Sequence, residues 1–247
     1  MLKCVIFDFF GTLCNLMVDW KSTIRDITDE YVKEGVPPEV FEGIPGVAEK
    51  LVKVYDYMLS NFGKEKANRV HGKVSRIFED YEVAGVKNAV LLPHVRDSLK
   101  TIKKMRLKIG LVSGNSKRSV IETLKKFNLE SYFDSTVTRD SPGRMKPHPD
   151  QIMLCLKELG CKPEEAISIG DQARDVIALK KARVFAVALE PNLKEMKKHF
   201  DEKIVMKKIY EPLVKNCDKM VGDLSEFTEL VVEKVNKNPR KNKLQNK

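Results

Sequence analysis

The chain has no Cys-x-x-Cys pair. Its five cysteines (Cys4, Cys14, Cys155, Cys161, Cys217) are an odd number without zinc-finger spacing. That excludes a structural zinc site and predicts reduced thiols in a cytoplasmic protein. No uninterrupted apolar stretch is long enough to span a bilayer, so no membrane partner is expected. The opening residues 1–13 are apolar but broken by Lys3 and Asp8, and they read as a strand, not as a signal peptide. No internal repeat is evident. Glutamine occurs only three times while charged residues make up 32%, a composition that leans towards a heat-adapted source.

What is present is basic, with a formal net charge of +10. The excess is local. Residues 236–247 hold Lys237, Arg240, Lys241, Lys243 and Lys247 with no acid, and residues 191–220 hold eight lysines against five acids. No aromatic residue interleaves with the cations of 236–247 and only Phe200 and Tyr210 fall among those of 191–220, so no nucleic-acid partner is expected, and the end of the chain reads as a solvated, disordered basic tail. With 247 residues, 42% of them apolar, the chain can bury a full core and fits one core domain with one insertion.

Apolar runs bounded by turn signals fall at residues 2–7, 107–112, 135–138, 166–169 and 184–189, with a sixth, Met220-Val221, near the end. Amphipathic stretches at 95–104, 118–126, 150–159 and 173–182 lie between most of them, and 225–237 reads as a closing helix. The alternation predicts a parallel sheet with helices on both faces. About ninety residues separate Thr12 from the next clear strand, far more than a strand-to-helix connection needs. Within them, 20–33, 47–61 and 66–80 repeat apolar residues at helical spacing. Residues 15–90 are therefore expected to be an inserted helical unit, a lid hinged near 14–17 and 88–93. Residues 194–215 suggest two basic amphipathic helices packed on the core surface.

Four segments carry the chemistry. Asp8 follows the first strand and precedes Gly11; it can serve as a nucleophile or as a helix cap. Ser113, Gly114 and Asn115 end the second strand, where a hydroxyl and amides can cradle an anion. Lys146 lies in Lys146-Pro147-His148-Pro149 and can neutralise a phosphoryl group or steady a nucleophile, or stay solvated. Asp171 and Asp175 follow Gly170 and can share a hard divalent cation; alternatively, Asp171 caps a helix and Asp175 pairs with Arg174 or a nearby lysine.

Asp-x-x-Gly-Thr-Leu, a strand ending in Ser-Gly-Asn, Lys-Pro-x-Pro and Gly-Asp-x-x-x-Asp resemble, in this order, the motifs of the haloacid dehalogenase-like hydrolase superfamily. The resemblance covers roughly residues 1–190. It implies an α/β fold: a Rossmann-like core (1–14 and 91–235) with an inserted α-helical cap of the first type (15–90). Ser113 and Lys146 are only 33 residues apart, which leaves no room for the other cap type. By position, Asp8 matches the nucleophile, Lys146 and Ser113 its catalytic companions, and Thr12, Ser113, Gly114, Asn115 and Lys146 the substrate-binding groups. Asp8, the Phe10 backbone carbonyl, Asp171 and Asp175 match the Mg²⁺ ligands.

Phe10 departs from the pattern. The family's phosphatases usually place a second Asp there, which protonates the leaving alcohol and activates water; phenylalanine does neither. The 2-haloacid dehalogenases carry an aromatic Tyr at this position, but Gly170, Asp171 and Gln172 and then Ile152 break the rest of their pattern. The resemblance thus implies a Mg²⁺-dependent phosphatase acting on a small phosphorylated metabolite. The alternatives are a metal-independent dehalogenase of a small halogenated acid, or a phosphate- or partner-binding module with catalysis weakened. A monomer or homodimer is expected. On the cap, Lys21 or Arg25, near Asp19 and Trp20, could reach a substrate anion or pair within the helical unit.

Overall fold

The computed structural model describes residues 1–42, 47–191 and 201–237, without the side chains of residues 48, 49, 203 and 204. The chain divides into two compact units. One takes Met1–Asn15 and the chain from Val90 onward; the other is Leu16–Ala89.

The first unit is built on six parallel strands: β1 (Cys4–Phe7), β4 (Lys108–Val112), β5 (Ser135–Val137), β6 (Ala166–Gly170), β7 (Phe185–Leu189) and β8 (Lys219–Val221). Their order is β5-β4-β1-β6-β7-β8. The chain builds outward from β1 to β4 and β5, then crosses back to lay β6 on the other side of β1. Phe7 pairs with Leu111 on one side and Ile169 on the other. The residues that follow these three strands therefore emerge together at one edge, which is where ligands bind in open parallel sheets.

Alternation along the strands explains why both faces are covered. Val5, Phe7, Ile109, Leu111, Ile167 and Ile169 pack on one face, against α4 (Val95–Lys104), α5 (Lys117–Phe127) and the closing helix α9 (Leu224–Asn236). The Phe7 and Phe227 rings meet edge-on, with centroids 5.5 Å apart. Cys4, Ile6, Val112, Ala186 and Ala188 pack on the other, against α6 (Asp150–Leu159) and α7 (Ala173–Lys181). The expected strands and helices of this unit thus form, with ends shifted by a residue or two. Where two basic helices were expected over 194–215, the described part is one helical run, α8: helical over Glu202–Val205, π-helical over Met206–Tyr210 and α-helical over Glu211–Asn216. Pro212 has no N–H to give, so the regular ladder is interrupted beside the π segment. Leu193, Met196 and Phe200, and the tail beyond residue 237, lie outside the described residues.

A two-stranded antiparallel ribbon, which strand patterning is too short to signal, joins β2 (Cys14–Asn15) to β3 (Val90–Leu91). It pairs the chain where it leaves the first unit with the chain where it returns.

The second unit holds α1 (Trp20–Lys33), a 3₁₀ turn at Pro38–Phe41, α2 (Val47–Phe62) and α3 (Lys64–Val86). Asp19 caps α1, its Oδ1 accepting from the Ser22 amide at 3.1 Å. Ile27, Tyr31, Phe41, Leu51, Val54, Met58, Val70 and Val74 fill its interior. α3 runs further than the expected 66–80, through Glu82 and Gly85 to Val86. No helix among the described residues is long and apolar enough to cross a membrane.

Candidate active site

Asp8 leaves the end of β1 with its amide donating to the Ile169 carbonyl at 2.9 Å. No helix follows, so it caps nothing. The next residues turn back sharply: the Leu13 amide donates to the Phe9 carbonyl at 2.8 Å, and the Gly11 amide to the Cys14 carbonyl at 2.8 Å. Gly11 has φ +92°, and a Cβ there would run into the Asp171 carboxylate. Only glycine closes this turn without displacing Asp171. The turn buries Thr12, whose Oγ1 stands 3.2 Å from Asp8 Oδ2 and 3.3 Å from Asp171 Oδ1. One hydroxyl proton serves one of the two carboxylates at a time.

Phe10 sits in the same turn, half-buried against the sheet's first face, its ring centroid 4.6 Å from that of Phe9. Its side chain offers no polar atom.

Lys146 reaches the cluster from the loop between β5 and α6. Its ammonium donates to Asp8 Oδ1 at 2.6 Å and to the Val112 carbonyl at 3.1 Å, and pairs with Asp175 Oδ1 at 2.6 Å. The side chain is only 5% exposed. The loop is fastened on several sides: Asp150 accepts from the Arg144 amide and side chain, and Lys181 donates to the Pro147 carbonyl at 3.1 Å. The Lys146–Pro147 peptide is cis. Gln151, fully buried, donates to the Thr138 carbonyl at 2.9 Å and holds the loop's base. Sequence reading missed Gln151; a glutamine in the apolar face of α6 was its only signal.

β6 passes to α7 through Gly170, Asp171 and Gln172. Gln172, not Asp171, is the helix cap, and the buried Asp175 accepts from the Gln172 amide at 2.9 Å through Oδ2. A Cβ on Gly170 would lie 2.5 Å from that of Asp175, so the strand meets the helix too closely for a side chain. Asp175 pairs with Lys146, not with Arg174.

Ser113, Gly114 and Asn115 follow β4, beside Asp8 in the sheet register. The buried Ser113 has its amide on the Val137 carbonyl at 2.9 Å, and its Oγ accepts from the Asn115 amide at 3.2 Å. No direct bond joins Ser113 to Asp8; the link is Lys146 on the Val112 carbonyl. In the helical unit, Arg25 is occupied by Asp26 at 2.8 Å, so Lys21 is the freer of the two cations considered there.

Burial pushes the Asp8 carboxyl above its ordinary range; Lys146 opposes that and Asp175 adds to it. Asp171 is pushed well above by burial, then by the charges of Asp8 and Asp175. Burial alone would lower the Lys146 ammonium, but Asp175 and Asp8 outweigh it and hold the pKa above its ordinary value. Carboxylate oxygens of Asp8, Asp171 and Asp175 all lie within 4.8 Å of one another. Three carboxylates against one buried ammonium leave negative charge uncompensated. An all-oxygen donor set of this charge fits a hard divalent cation.

Residues 5–189 match the haloacid dehalogenase-like hydrolase family. A phosphorylated carbohydrates phosphatase of Thermotoga maritima is 30% identical over 193 residues, covering 74% of this chain and 82% of that one. Pyrophosphatase PpaX of Bacillus cereus is 27% identical over 198 residues, covering 78% and 85%. Among solved structures, the β-phosphoglucomutase of Clostridium difficile superposes with a TM-score of 0.64 at 20% identity, covering 96% of this chain and 98% of that one. At that identity the likeness is one of fold. The chain belongs to the haloacid dehalogenase-like hydrolases.

Proposed function

We propose that this hydrolase is a Mg²⁺-dependent phosphatase acting on a small phosphorylated metabolite, with Asp8 as its nucleophile. The observation that carries the reading is the buried Asp8 carboxylate, tied at once to Lys146 and, through Thr12, to an acid cluster suited to a cation. The phosphatase names of the two relatives above support it.

Asp8 Oδ1 is committed to a short charge-assisted bond with Lys146. Oδ2 carries only the longer Thr12 bond, and is the oxygen freer to attack phosphorus. The P–O bond to the leaving group breaks as the Asp8–phosphorus bond forms; water then opens the aspartyl-phosphate and releases phosphate. Lys146 fixes Asp8 in orientation and offsets the arriving charge. Ser113, with its proton unspent on Asn115, and the Gly114 and Asn115 amides are placed to receive phosphoryl oxygens. Asp8, the Phe10 carbonyl, Asp171 and Asp175 would hold Mg²⁺, which when bound offsets the phosphoryl charge.

The test is turnover of an activated aryl phosphate by folded protein with and without Mg²⁺. Metal-dependent release of phosphate is expected; none, in a sample shown to be folded, removes the reading. Phe10 is the one feature that favours the dehalogenase alternative. Asp171 opposes it, since a third carboxylate repels a haloacid. Halide release from 2-chloropropionate in the presence of a chelator is expected to be nil.

A further inference from the structure

We infer that this site is specialised for phosphoryl donors whose leaving group departs without a proton, namely acyl phosphates and phosphoanhydrides, and that with them the phosphorylated Asp8 accumulates. The inference rests on the phosphatase reading and goes further, to the class of donor and the slow half of the reaction.

An ordinary ester leaves as an alkoxide unless an acid protonates its bridging oxygen. The groups around Asp8 can be taken in turn. The Lys146 ammonium has three protons and three oxygen partners: Asp8 Oδ1, Asp175 Oδ1 and the Val112 carbonyl. Two of the protons go to Asp8 and the Val112 carbonyl and the third faces the Asp175 carboxylate, so the ammonium is engaged by the nucleophile and its neighbours and not aimed at a leaving group. Arg174 acts on Asp8 through its charge, but a guanidinium does not release a proton in a protein. Asp175 accepts from the Gln172 amide through Oδ2, and its Oδ1 is ion-paired with Lys146. Asp171 belongs to the set assigned to the cation, and a carboxylate bound to a metal carries no proton. The hydroxyls of Thr12 and Ser113 are far too weak as acids. The two described histidines of the core unit act elsewhere, His94 on Asp223 and His148 on Asp150. At the turn beside the nucleophile the chain presents Phe10, with its ring on Phe9.

Among the described residues of the core unit, then, the site holds a nucleophile and charge compensation but no acid–base group. The missing assistance is worth about 10²–10⁴ in rate for an alkyl ester. An acyl phosphate does not need it. As Asp8 bonds to phosphorus, the donor's P–O bond breaks and the electron pair leaves on a carboxylate, stable as the anion. A phosphoanhydride likewise releases a phosphate anion.

The second half is different. The aspartyl-phosphate is itself an acyl phosphate, so the Asp8 carboxylate leaves readily. The attacking water, however, must shed its proton, to the departing phosphate or to solvent, with no side-chain base among the described residues of the core unit to take it. With a donor that makes the first half fast, the second half becomes limiting and the phosphoenzyme builds up. With an alkyl ester the first half stays limiting and it does not.

The experiment uses the full-length protein with Mg²⁺, given acetyl phosphate, inorganic pyrophosphate or glycerol 2-phosphate in separate reactions. Phosphate release and intact mass after rapid quench are read in each. Acetyl phosphate is expected to turn over about 10²-fold faster than the alkyl ester. A species heavier by one phosphoryl group, labile to hydroxylamine and absent from Asp8→Asn, is expected with acetyl phosphate but not with the ester. Phe10→Asp should erase that species and raise alkyl-ester turnover; if it does not fold, the donor comparison on the unaltered protein decides alone. Comparable turnover of acyl and alkyl donors with no phosphoenzyme overturns this inference and leaves the phosphatase standing. No turnover of any donor, in folded protein with Mg²⁺, removes both.

Discussion

The two units of this molecule place their main ion clusters in opposite settings. In the core unit, Lys146, Asp8 and Asp175 form an ion cluster whose side chains are 5%, 10% and 4% exposed. In the helical unit, the main cluster joins Glu34 to Arg69 and Lys73, and the two cations are 53% and 47% exposed. There, apart from the buried Glu82, the interior is left to Ile27, Val54, Met58 and their neighbours. Surface ion pairs of this sort contribute little to stability, and a buried cluster commonly contributes less than an apolar replacement would. A chain that keeps two buried carboxylates, a half-buried third and one buried lysine at the mouth of its sheet is holding them for chemistry. The Glu34, Arg69 and Lys73 cluster of the helical unit does what surface charges usually do.

That contrast is broken most directly at Asp8. Asp8→Asn should cut phosphate-ester turnover by about 10⁴-fold or more, while the thermal midpoint without divalent ions does not fall, since one of three crowded negative charges is gone. A melt lowered by several degrees would make the cluster structural. Lys146→Met comes next. It leaves three carboxylates with no buried cation, and should cost about 10²–10³ in turnover and about 3–5 kcal/mol in stability. Mg²⁺ should recover part of that stability by mass action. Lys73→Met in the helical unit is the control, with little effect on stability and no metal response. Denaturant midpoints with and without Mg²⁺ measure both.

Most of the sheet was legible because its strands are apolar on both faces and end in turn signals; 107–112 and 166–169 needed no tertiary information. The ribbon of Cys14–Asn15 with Val90–Leu91 was not, because two residues carry no period. The π segment of α8 was not, since Pro212 alone does not say how the ladder gives way. In the site, residue types and order marked Asp8, Lys146, Asp171 and Asp175 as candidates but left each with a plain alternative. Distances separated the readings: Asp8 caps no helix, Gln172 and not Asp171 occupies the cap position of α7, and the lysine that Asp175 meets is Lys146. One lysine shared between two acids is a product of the crossover between β5 and β6, and nothing local in Lys-Pro-His-Pro announces it.

Gly11→Ala tests how closely the turn and the acid cluster depend on each other. The alanine would have to adopt φ near +92° and push into the Asp171 carboxylate. Backbone strain of about 1–3 kcal/mol is expected, along with a rise in the Mg²⁺ concentration that gives half-maximal activity. A loss of stability with unchanged metal dependence would separate the turn from the acids and confine Gly11 to a folding role.

The smallest effect is expected at Glu34, and its pH dependence is where the helical unit can be distinguished from the core. Hydrogen bonds from Arg69 and then Lys73 hold the Glu34 carboxyl down at about 2, against an ordinary 4.5. A carboxyl depressed on folding contributes stability that is present above its unfolded pKa and is lost as pH falls towards the folded one. Glu34→Gln should therefore lower the midpoint slightly at neutral pH, by about 0.2–1 kcal/mol. The gap to the parent should narrow below about pH 4.5 and close near pH 2. Added salt should shrink it further, because these charges face water. Phosphate-ester turnover should not change. A gap that survives at low pH would mean that Glu34 stabilises the helical unit by packing, and a change in turnover would mean that its surface charge is part of the chemistry after all.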